Sequence, residues 1–507
     1  MNSQSREINS VRNISISIIN QCISLILNFA AKSVFIKVLG EDYLGINGLF
    51  SNIFMLFSFA EFGIGSAMIY SLYNPIAKQD KSKISALYQY YKKLYRKMSL
   101  WISVVGLLVL PFLNIIVRTK SEIEGLYIYY LAFLFNTILY NMFSYQSNLI
   151  IADQKKYKVS IYQTIFDCLG MIGQIIVLLV THNYLLYLLL TCLKTMGTYY
   201  VIGKEVQKSY GFIGQPGEVS YEDKIEITQN IKSLFIYKFA RVLITGTDNI
   251  IISLLVGTVW VGYYSNYDLV VIGVSSLITI IFSALSASIG NLVAEKSVSH
   301  MYDIFKTVQV IAVWITGFTT ICLIVLFQDF ITLWLGEKYV LSFPIVAVIA
   351  FNYYLGCVRD STKIFREAAG IFDKIKNTMI ITAIMNLILS IVLGKAYGIF
   401  GVLIATTISI LLTYYWYEPV LIYRSMNVNK VSEYFILQII SFILLLIGIF
   451  VTKYSTSFIK ELTWASFLLK TLLCVIISNL YYLLILGHRK ETKYVFHMLR
   501  RIFVRSR

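Results

Sequence analysis

Charged residues are scarce in this chain: they make up 14% of its 507 residues, against 57% that are hydrophobic. Soluble domains carry nearer ~25% charged and ~45–50% apolar residues, so this balance excludes an ordinary water-soluble enzyme or binding domain. Proline is rarer still, with five in the whole chain, and no Ser/Gly-rich or charged low-complexity run occurs, so no disordered linker is expected. The four histidines (His182, His300, His488, His497) are scattered, whereas a zinc or haem site would need clustered ligands. The six cysteines (Cys22, Cys168, Cys192, Cys322, Cys357, Cys474) lie inside apolar stretches with no paired spacing. That excludes a disulfide framework or a metal site and leaves small buried apolar residues. No cofactor is expected. The first dozen residues are polar and no small-residue cleavage site follows the first apolar run, which therefore reads as a retained membrane helix and not as a removed signal peptide.

What is abundant is apolar length. Mean hydropathy is +0.70, and a bilayer core of ~30 Å requires spans of about twenty residues. Such spans fall near 14–36, 44–72, 98–117, 126–150, 161–181, 184–202, 234–256, 262–292, 307–327, 343–364, 377–397, 398–418, 433–453 and 463–486. The expectation is an all-α integral membrane protein with about fourteen transmembrane helices. The break hardest to place is at Tyr397–Gly398, where two spans almost touch.

A net charge of +17 on a soluble protein would suggest nucleic acid. Here the basic residues flank apolar spans and set topology, so no nucleic-acid partner is expected. With the N-terminus inside, about thirty of the 44 Lys and Arg fall on the cytoplasmic side, led by Lys78–Lys97 and the tail after Gly487. Both termini are thus expected in the cytoplasm. The longest connection, Gly203–Ser233, has room for an amphipathic surface helix but not for a catalytic domain.

A weak repeat runs through the chain. KVLGEDYLGINGLFSNI (Lys37–Ile53) and LLVGTVWVGYYSNYDLV (Leu254–Val270) both carry Gly-x4-Gly, so that Gly40 and Gly45 match Gly257 and Gly262. Each copy joins the first and second helix of a six-helix block, and an even number of spans separates them, so the repeat is parallel. Transporters are often built this way, with the substrate site between the halves. The expected divisions are 1–230 and 231–430, two six-helix bundles around a central cavity, and 431–507, two peripheral helices with a basic tail.

Several spans carry a polar stripe at helical spacing. The first has Ser17, Gln21, Ser24, Asn28 and Lys32; the second has Asn47, Ser51, Ser58, Glu61 and Gly65. The seventh has Lys238, Arg241, Thr245 and Asp248; the eighth Ser275, Thr279, Ser283 and Ser286; the tenth Asn352, Gly356, Arg359, Lys363 and Arg366. A charge at the bilayer centre costs about 2.5–3.5 kcal/mol on translocon scales, so these faces are expected to turn inward. Lys238, Lys363 and Arg366 lie near cytoplasmic ends and fit snorkelling, and Lys32 fits either snorkelling or a substrate contact. Arg241 and Arg359 lie deeper and favour a wet cavity over a structural ion pair. Asp167 and Lys194, on neighbouring helices, favour a structural pair. Glu61 and Asp248 suit either a cation or proton site or counter-ions to Lys32 and Arg241. Serine and threonine stripes also serve helix packing, so the eighth carries little weight. An inward surface with excess positive charge, amides and tyrosines suits an anionic, sugar-bearing substrate, since the guanidinium fork matches phosphate.

At this point the chain resembles the polysaccharide flippases, the Wzx-type family of the multidrug/oligosaccharidyl-lipid/polysaccharide exporter superfamily. The segments that carry the resemblance are VLGEDYLGINGLFSNIFMLFSFAEFGIGSAMIYSLYNPIAKQD (Val38–Asp80), NLIIADQKKYKVS (Asn148–Ser160), TDNIIISLLVGTVWVGYYSNYDLV (Thr247–Val270), FREAAGIFDKIKN (Phe365–Asn377) and YGIFGVLIATTISI (Tyr397–Ile410). They run in order across the first twelve spans. The resemblance implies two six-helix bundles around a cavity, in a bacterial cytoplasmic membrane. It also implies a substrate, an undecaprenyl-diphosphate-linked oligosaccharide turned from inner to outer leaflet, and a polysaccharide polymerase machinery as a partner downstream. In such families cations of the first, seventh and neighbouring helices line the diphosphate cavity, which by position points to Lys32 and Arg241. Arg359 and Lys238, and the amides Gln21 and Asn28, are added from this chain's own stripes. The lipid tail can stay in the bilayer, and a −2 headgroup moving outward gains about 4.6 kcal/mol at about 100 mV, inside negative, if the protein's own cations do not move with it.

Rival readings make different demands. A cation-coupled drug or metabolite exporter of the same superfamily would depend on Glu61, Asp167 or Asp248 as ion sites. A membrane polymerase or glycosyltransferase would need a large loop domain with carboxylates, which the short connections exclude. A scaffold without transport leaves the charged stripes unexplained.

Overall fold

The computed structural model describes residues 3–117, 123–214, 218–295, 298–368 and 373–494. They are helical but for the connections, with no β-strand among the described residues. The chain gathers into two compact units, Met1–Gly262 and Tyr263–Arg507. The first holds α1 (Ser3–Leu39), α2 (Glu41–Phe57), α3 (Phe59–Ala77), α4 (Lys81–Val109), α5 (Leu113–Ile116), α6 (Leu126–Phe143), α7 (Tyr145–Ala152), α8 (Lys156–Thr181), α9 (Tyr184–Ser209), α10 (Tyr221–Gly246) and α11 (Asp248–Leu255). The next helix, α12 (Thr258–Glu295), begins in the first unit and runs into the second. There follow α13 (Val298–Leu335), α14 (Phe343–Val358), α15 (Asp360–Ala368), α16 (Asp373–Leu412), α17 (Tyr414–Ser425), α18 (Val431–Ser455) and α19 (Trp464–Leu486).

Nine runs among the described residues are long and apolar enough to cross a membrane. One of them, Lys374–Ser425, is 52 residues long and turns back on itself. Gly398 takes φ 60° and ψ −137° there, and a Cβ on Gly401 would lie 1.9 Å from the Leu393 carbonyl oxygen. The two arms are pinned by Asn386 Nδ2 donating to Thr406 Oγ1 at 2.9 Å and by the Thr382–Thr413 hydroxyl pair at 2.6 Å. This is the Tyr397–Gly398 break that the sequence suggested.

Other crossings are split in mid-course, where hydropathy alone shows one span. The breaks fall at Ser58, Ser144, Thr247, Arg359 and Thr413, all of them polar residues. A break inside a membrane frees backbone groups, which side chains must satisfy locally. Thr247 Oγ1 donates to the Leu243 carbonyl at 2.7 Å, Thr413 Oγ1 to that of Ser409 at 2.5 Å, and Asn141 Nδ2 to Ser58 Oγ at 3.0 Å.

The Gly203–Ser233 connection is largely helical: α9 runs on to Ser209 and α10 starts at Tyr221. The start is a capping signal that a hydropathy window passes over, with the Ser220 side chain accepting from Asp223 N and acidic residues in the first turn. Cys22, expected among the buried residues, is exposed on the apolar face of α1.

The repeated glycines do matching work. Gly40 and Gly257 take φ +84° and +129°, left-handed conformations that let the chain turn between helices. Gly45 and Gly262 allow close approach: a Cβ on Gly45 would meet the Thr258 carbonyl oxygen at 2.2 Å, and one on Gly262 would meet Gly45 N at 3.0 Å. Both connectors therefore lie at the same end of the first unit.

Within the first unit, α8 and α9 are clamped by Lys194 and Asp167 at 3.0 Å, as expected from their positions. Gly170, one turn on, leaves room for the lysine stem, since a Cβ there would lie 2.7 Å from Lys194 Cδ. In the second unit α18 and α19 pack on α13. Lys470 pairs with Asp329 at 2.6 Å, Trp314 Nε1 donates to Asn479 at 3.0 Å, and Gly317 leaves space for the Tyr482 ring.

Candidate functional site

The first helix has the two faces its sequence implies. Ile19 and Ile26 are 58% and 70% exposed, as suits lipid-facing side chains. Gln21, Ser24, Asn28 and Lys32 are all half-buried. Asn28 Nδ2 donates back to the Ser24 carbonyl at 2.7 Å and Ser33 Oγ to that of Phe29 at 2.8 Å, so part of the stripe serves its own helix. Ser17 lies outside the residues whose side chains are described.

The seventh stripe divides at the Thr247 break. Lys238, Arg241 and Thr245 are on α10, and their side chains lie outside the described ones. Asp248 instead opens α11, 6% exposed, where a carboxylate meets the positive end of the helix dipole. Both α1 and α10 border α2. Helix α10 also packs on α3, where a Cβ on Gly63 would lie 3.3 Å from Phe235 Cα. At its N-terminal end Lys83 of α4 grips the Asp223 carboxylate at 2.9–3.0 Å. That hydrogen bond, helped by Ser220, holds the Asp223 carboxyl below its ordinary value.

Glu61 is half-buried on α3 in a nest of phenols. It acts on the hydroxyls of Tyr95, Tyr140 and Tyr199, with Tyr140 in hydrogen-bonding reach. Asn148 Nδ2 donates to Tyr95 at 2.8 Å, and Gly65 makes room for both groups. The sequence located the carboxylate but missed the tyrosines, which come from α4, α6 and α9 and share no local pattern with it.

The tenth stripe requires a correction. Arg359, expected to line a wet cavity, is 9% exposed at the break between α14 and α15. Its guanidinium donates to Glu418 of α17, which also accepts from Arg366, and the Tyr414 ring lies 4.0 Å from the Arg359 guanidinium carbon. Arg366, expected to snorkel, is 3% exposed in the same triad. Asn352 donates to the Leu403 carbonyl at 2.9 Å and accepts from Thr407 at 2.6 Å. The stripe is thus a polar seam against α16 and α17. Glu418 was missed because YEP (Tyr417–Pro419) looks like a helix end and not like a buried counter-ion. Lys363 meets Asp360 at 3.5 Å. No cluster of His, Cys, Asp and Glu able to hold a metal ion occurs among the described residues.

No protein-family model matches the sequence, and no curated protein matches it. Solved structures do. The chain is similar to a multidrug resistance MATE family transporter of the MOP superfamily in an inward-facing conformation, with a TM-score of 0.66 and 13% identity over 83% of this chain and 99% of that one. It is similar to the lipid II flippase MurJ in an inward closed conformation, with a TM-score of 0.66 and 14% identity over 93% of this chain and 98% of that one. A mutant of the Vibrio cholerae MATE transporter VcmN gives a TM-score of 0.60 and 12% identity over 85% of this chain and 99% of that one. At these identities the likeness is one of fold. The chain is a multi-pass, all-helical membrane protein with the fold of these transporters.

Proposed function

We propose that the chain flips a diphosphate-linked oligosaccharide lipid from the inner to the outer leaflet of a bacterial cytoplasmic membrane. Two six-helix blocks, 1–230 and 231–430, alternate in access, with both termini in the cytoplasm. The observation that carries this reading is the level of two cations in the first unit. Since the Gly40 and Gly257 connectors share one end of that unit, depth is counted back from them. Lys32 comes eight residues before Gly40 and Arg241 sixteen before Gly257. At 1.5 Å per residue Arg241 is about 12 Å deeper, too far for both to clasp one diphosphate at once. They act instead as two stations, Arg241 deep and Lys32 near the outer end. The amides of Gln21 and Asn28, on the half-buried face of α1, offer hydrogen bonds to sugar, and Lys238 stands one turn before Arg241 toward the entry side.

Length supports a lipid-linked cargo. The flippase fold is matched over 93% of this chain and the MATE folds over 83–85%. The extra tenth of the chain is the size of the α18–α19 pair. A cation-coupled exporter is the second reading, and Glu61 among its tyrosine hydroxyls favours it as a proton or cation site; Asp248 is the other candidate. Reconstituted vesicles with fluorescent lipid-linked oligosaccharide on one leaflet separate the two. A flippase moves this lipid to the other leaflet, and a drug or metabolite exporter does not.

A further inference from the structure

At one end of the second unit, α13 and α18 begin and α17 and α19 finish. A cleft of about 190 Å³ opens there, lined by Lys306, Gln309, Tyr423, Glu433, Ile440 and Arg489 among others. Tyr423, Glu433 and Arg489 lie within one turn of a helix end, and Lys306, Gln309 and Ile440 about two to three turns in, so the cleft runs from the level of lipid headgroups toward the ~30 Å core. Val310 lines this cleft and also a second space of about 190 Å³ farther along α13 and α19. The second space is walled by Ile311, Trp314, Ile315 and Phe318, and is almost wholly apolar. A charged mouth thus leads into an apolar groove.

Two observations point to a ligand. Gln309 is 2% exposed and Tyr423 is fully buried, side by side. The polar neighbours of the Tyr423 hydroxyl are Gln309 and Tyr302, yet no contact of Gln309 Nε2 or of that hydroxyl reaches good hydrogen-bond geometry among the described residues. Buried donors are rarely left so, and both line the mouth. The second observation is charge. Glu433 is already held by Lys306 at 2.6 Å, by the Tyr302 hydroxyl at 2.8 Å and by Lys430 at 3.7 Å. Lys306, Lys430 and Arg489 together outnumber Glu433 and Glu491, and Lys490 and Lys493 lie exposed beside them.

We propose that this is a site for one bilayer phospholipid with an anionic headgroup. Its phosphodiester lies between Arg489 and Lys306 and accepts from Gln309 Nε2 and the Tyr423 hydroxyl, and one acyl chain follows the groove past Val310. Basic pockets between helices on a cytoplasmic membrane face take such headgroups. Free phosphate would use the mouth but leave the groove empty; a phospholipid fills both. None of these residues is among those assigned to the transported headgroup, so this inference stands apart from the flippase reading.

The test is native mass spectrometry of the full chain in detergent with dioleoyl-phosphatidylglycerol or dioleoyl-phosphatidylcholine. Wild type should retain one phosphatidylglycerol, at about tenfold lower lipid concentration than phosphatidylcholine, as a basic site implies. Arg489→Ala should abolish that preference, and Ile315→Trp, which fills the groove, should reduce retention of both lipids. Gln309→Leu should weaken phosphatidylglycerol retention with the preference kept. Melting curves alongside report folding, and any one folded variant suffices to decide between the outcomes. Equal retention by wild type and the folded variants overturns the site, and displacement of the lipid by millimolar inorganic phosphate reduces it to an anion site and overturns the lipid assignment.

Discussion

Arg359 donates to the carboxylate of Glu418 inside the second unit, and Arg366 does so from about two turns farther on. Two cations on one buried anion form part of the packing of α15 on α17. Glu418 has 1% of its side chain exposed, so removing its charge takes from two buried guanidinium groups the carboxylate to which both donate. Breaking a buried pair from one side costs about 3–5 kcal/mol. Glu418→Gln should therefore lower folded yield and melting temperature sharply. Arg359→Met, which still leaves Arg366 with Glu418, should cost less and leave cargo affinity unchanged in the molecules that fold. Loss of cargo binding at normal stability in Arg359→Met would return this residue to the transport path.

Gly45 offers a test of the packed connectors. Alanine there would clash with the Thr258 backbone, which cannot step aside as a side chain can. Overpacking of this kind costs about 1–3 kcal/mol. Gly40→Ala meets no atom within 4 Å but keeps an adverse φ of +84°, for a smaller cost of about 1 kcal/mol. Differential scanning fluorimetry in detergent should rank Gly45→Ala as the more damaging of the two. The reverse order would mean that the two connectors do not touch.

The Lys83–Asp223 contact carries a small pH dependence. Its folded carboxyl value is depressed, so its contribution is present above the unfolded aspartate value near 3.8 and is lost as pH falls through the folded one. The pair is partly exposed, at 44% and 28% of its side chains, so the effect is at most about 1 kcal/mol and fades with salt. Asp223→Asn should flatten the acid limb of the stability curve below about pH 4 at low ionic strength. An unchanged limb would show the contact to be inert.

Much of this was legible in the residues. Hydropathy located the helices because a bilayer demands length, and positive φ at Gly40, Gly257 and Gly398 fell where glycine marked a turn. Asp167 and Lys194 paired because a charge on each of two adjacent apolar helices had few other options. What sequence could not show was which inward face meets protein and which meets water. The first and tenth stripes look alike as patterns, yet Asn352 and Arg359 are consumed by partners on α16 and α17, more than fifty residues away. The phenols around Glu61 were hidden for the same reason, since they converge from three separate helices.

Glu61 separates the two transport readings at a single residue. Glu61→Gln should lower transport rate or stability without altering the choice of cargo, because the carboxylate acts on the hydroxyls of Tyr95, Tyr140 and Tyr199. A shift in cargo preference would make it a recognition residue. Unchanged rate and stability together would remove it from either role.

The most direct test of the account is delivery of lipid-linked oligosaccharide to the outer leaflet by Arg241→Ala, with folded membrane protein quantified alongside. Loss of the deep station should abolish delivery while insertion and folding persist. Arg241→Lys should keep part of it, since the charge survives but the bidentate fork is lost, and Lys32→Ala should be milder because that station lies near water. Normal delivery by folded Arg241→Ala would contradict the account.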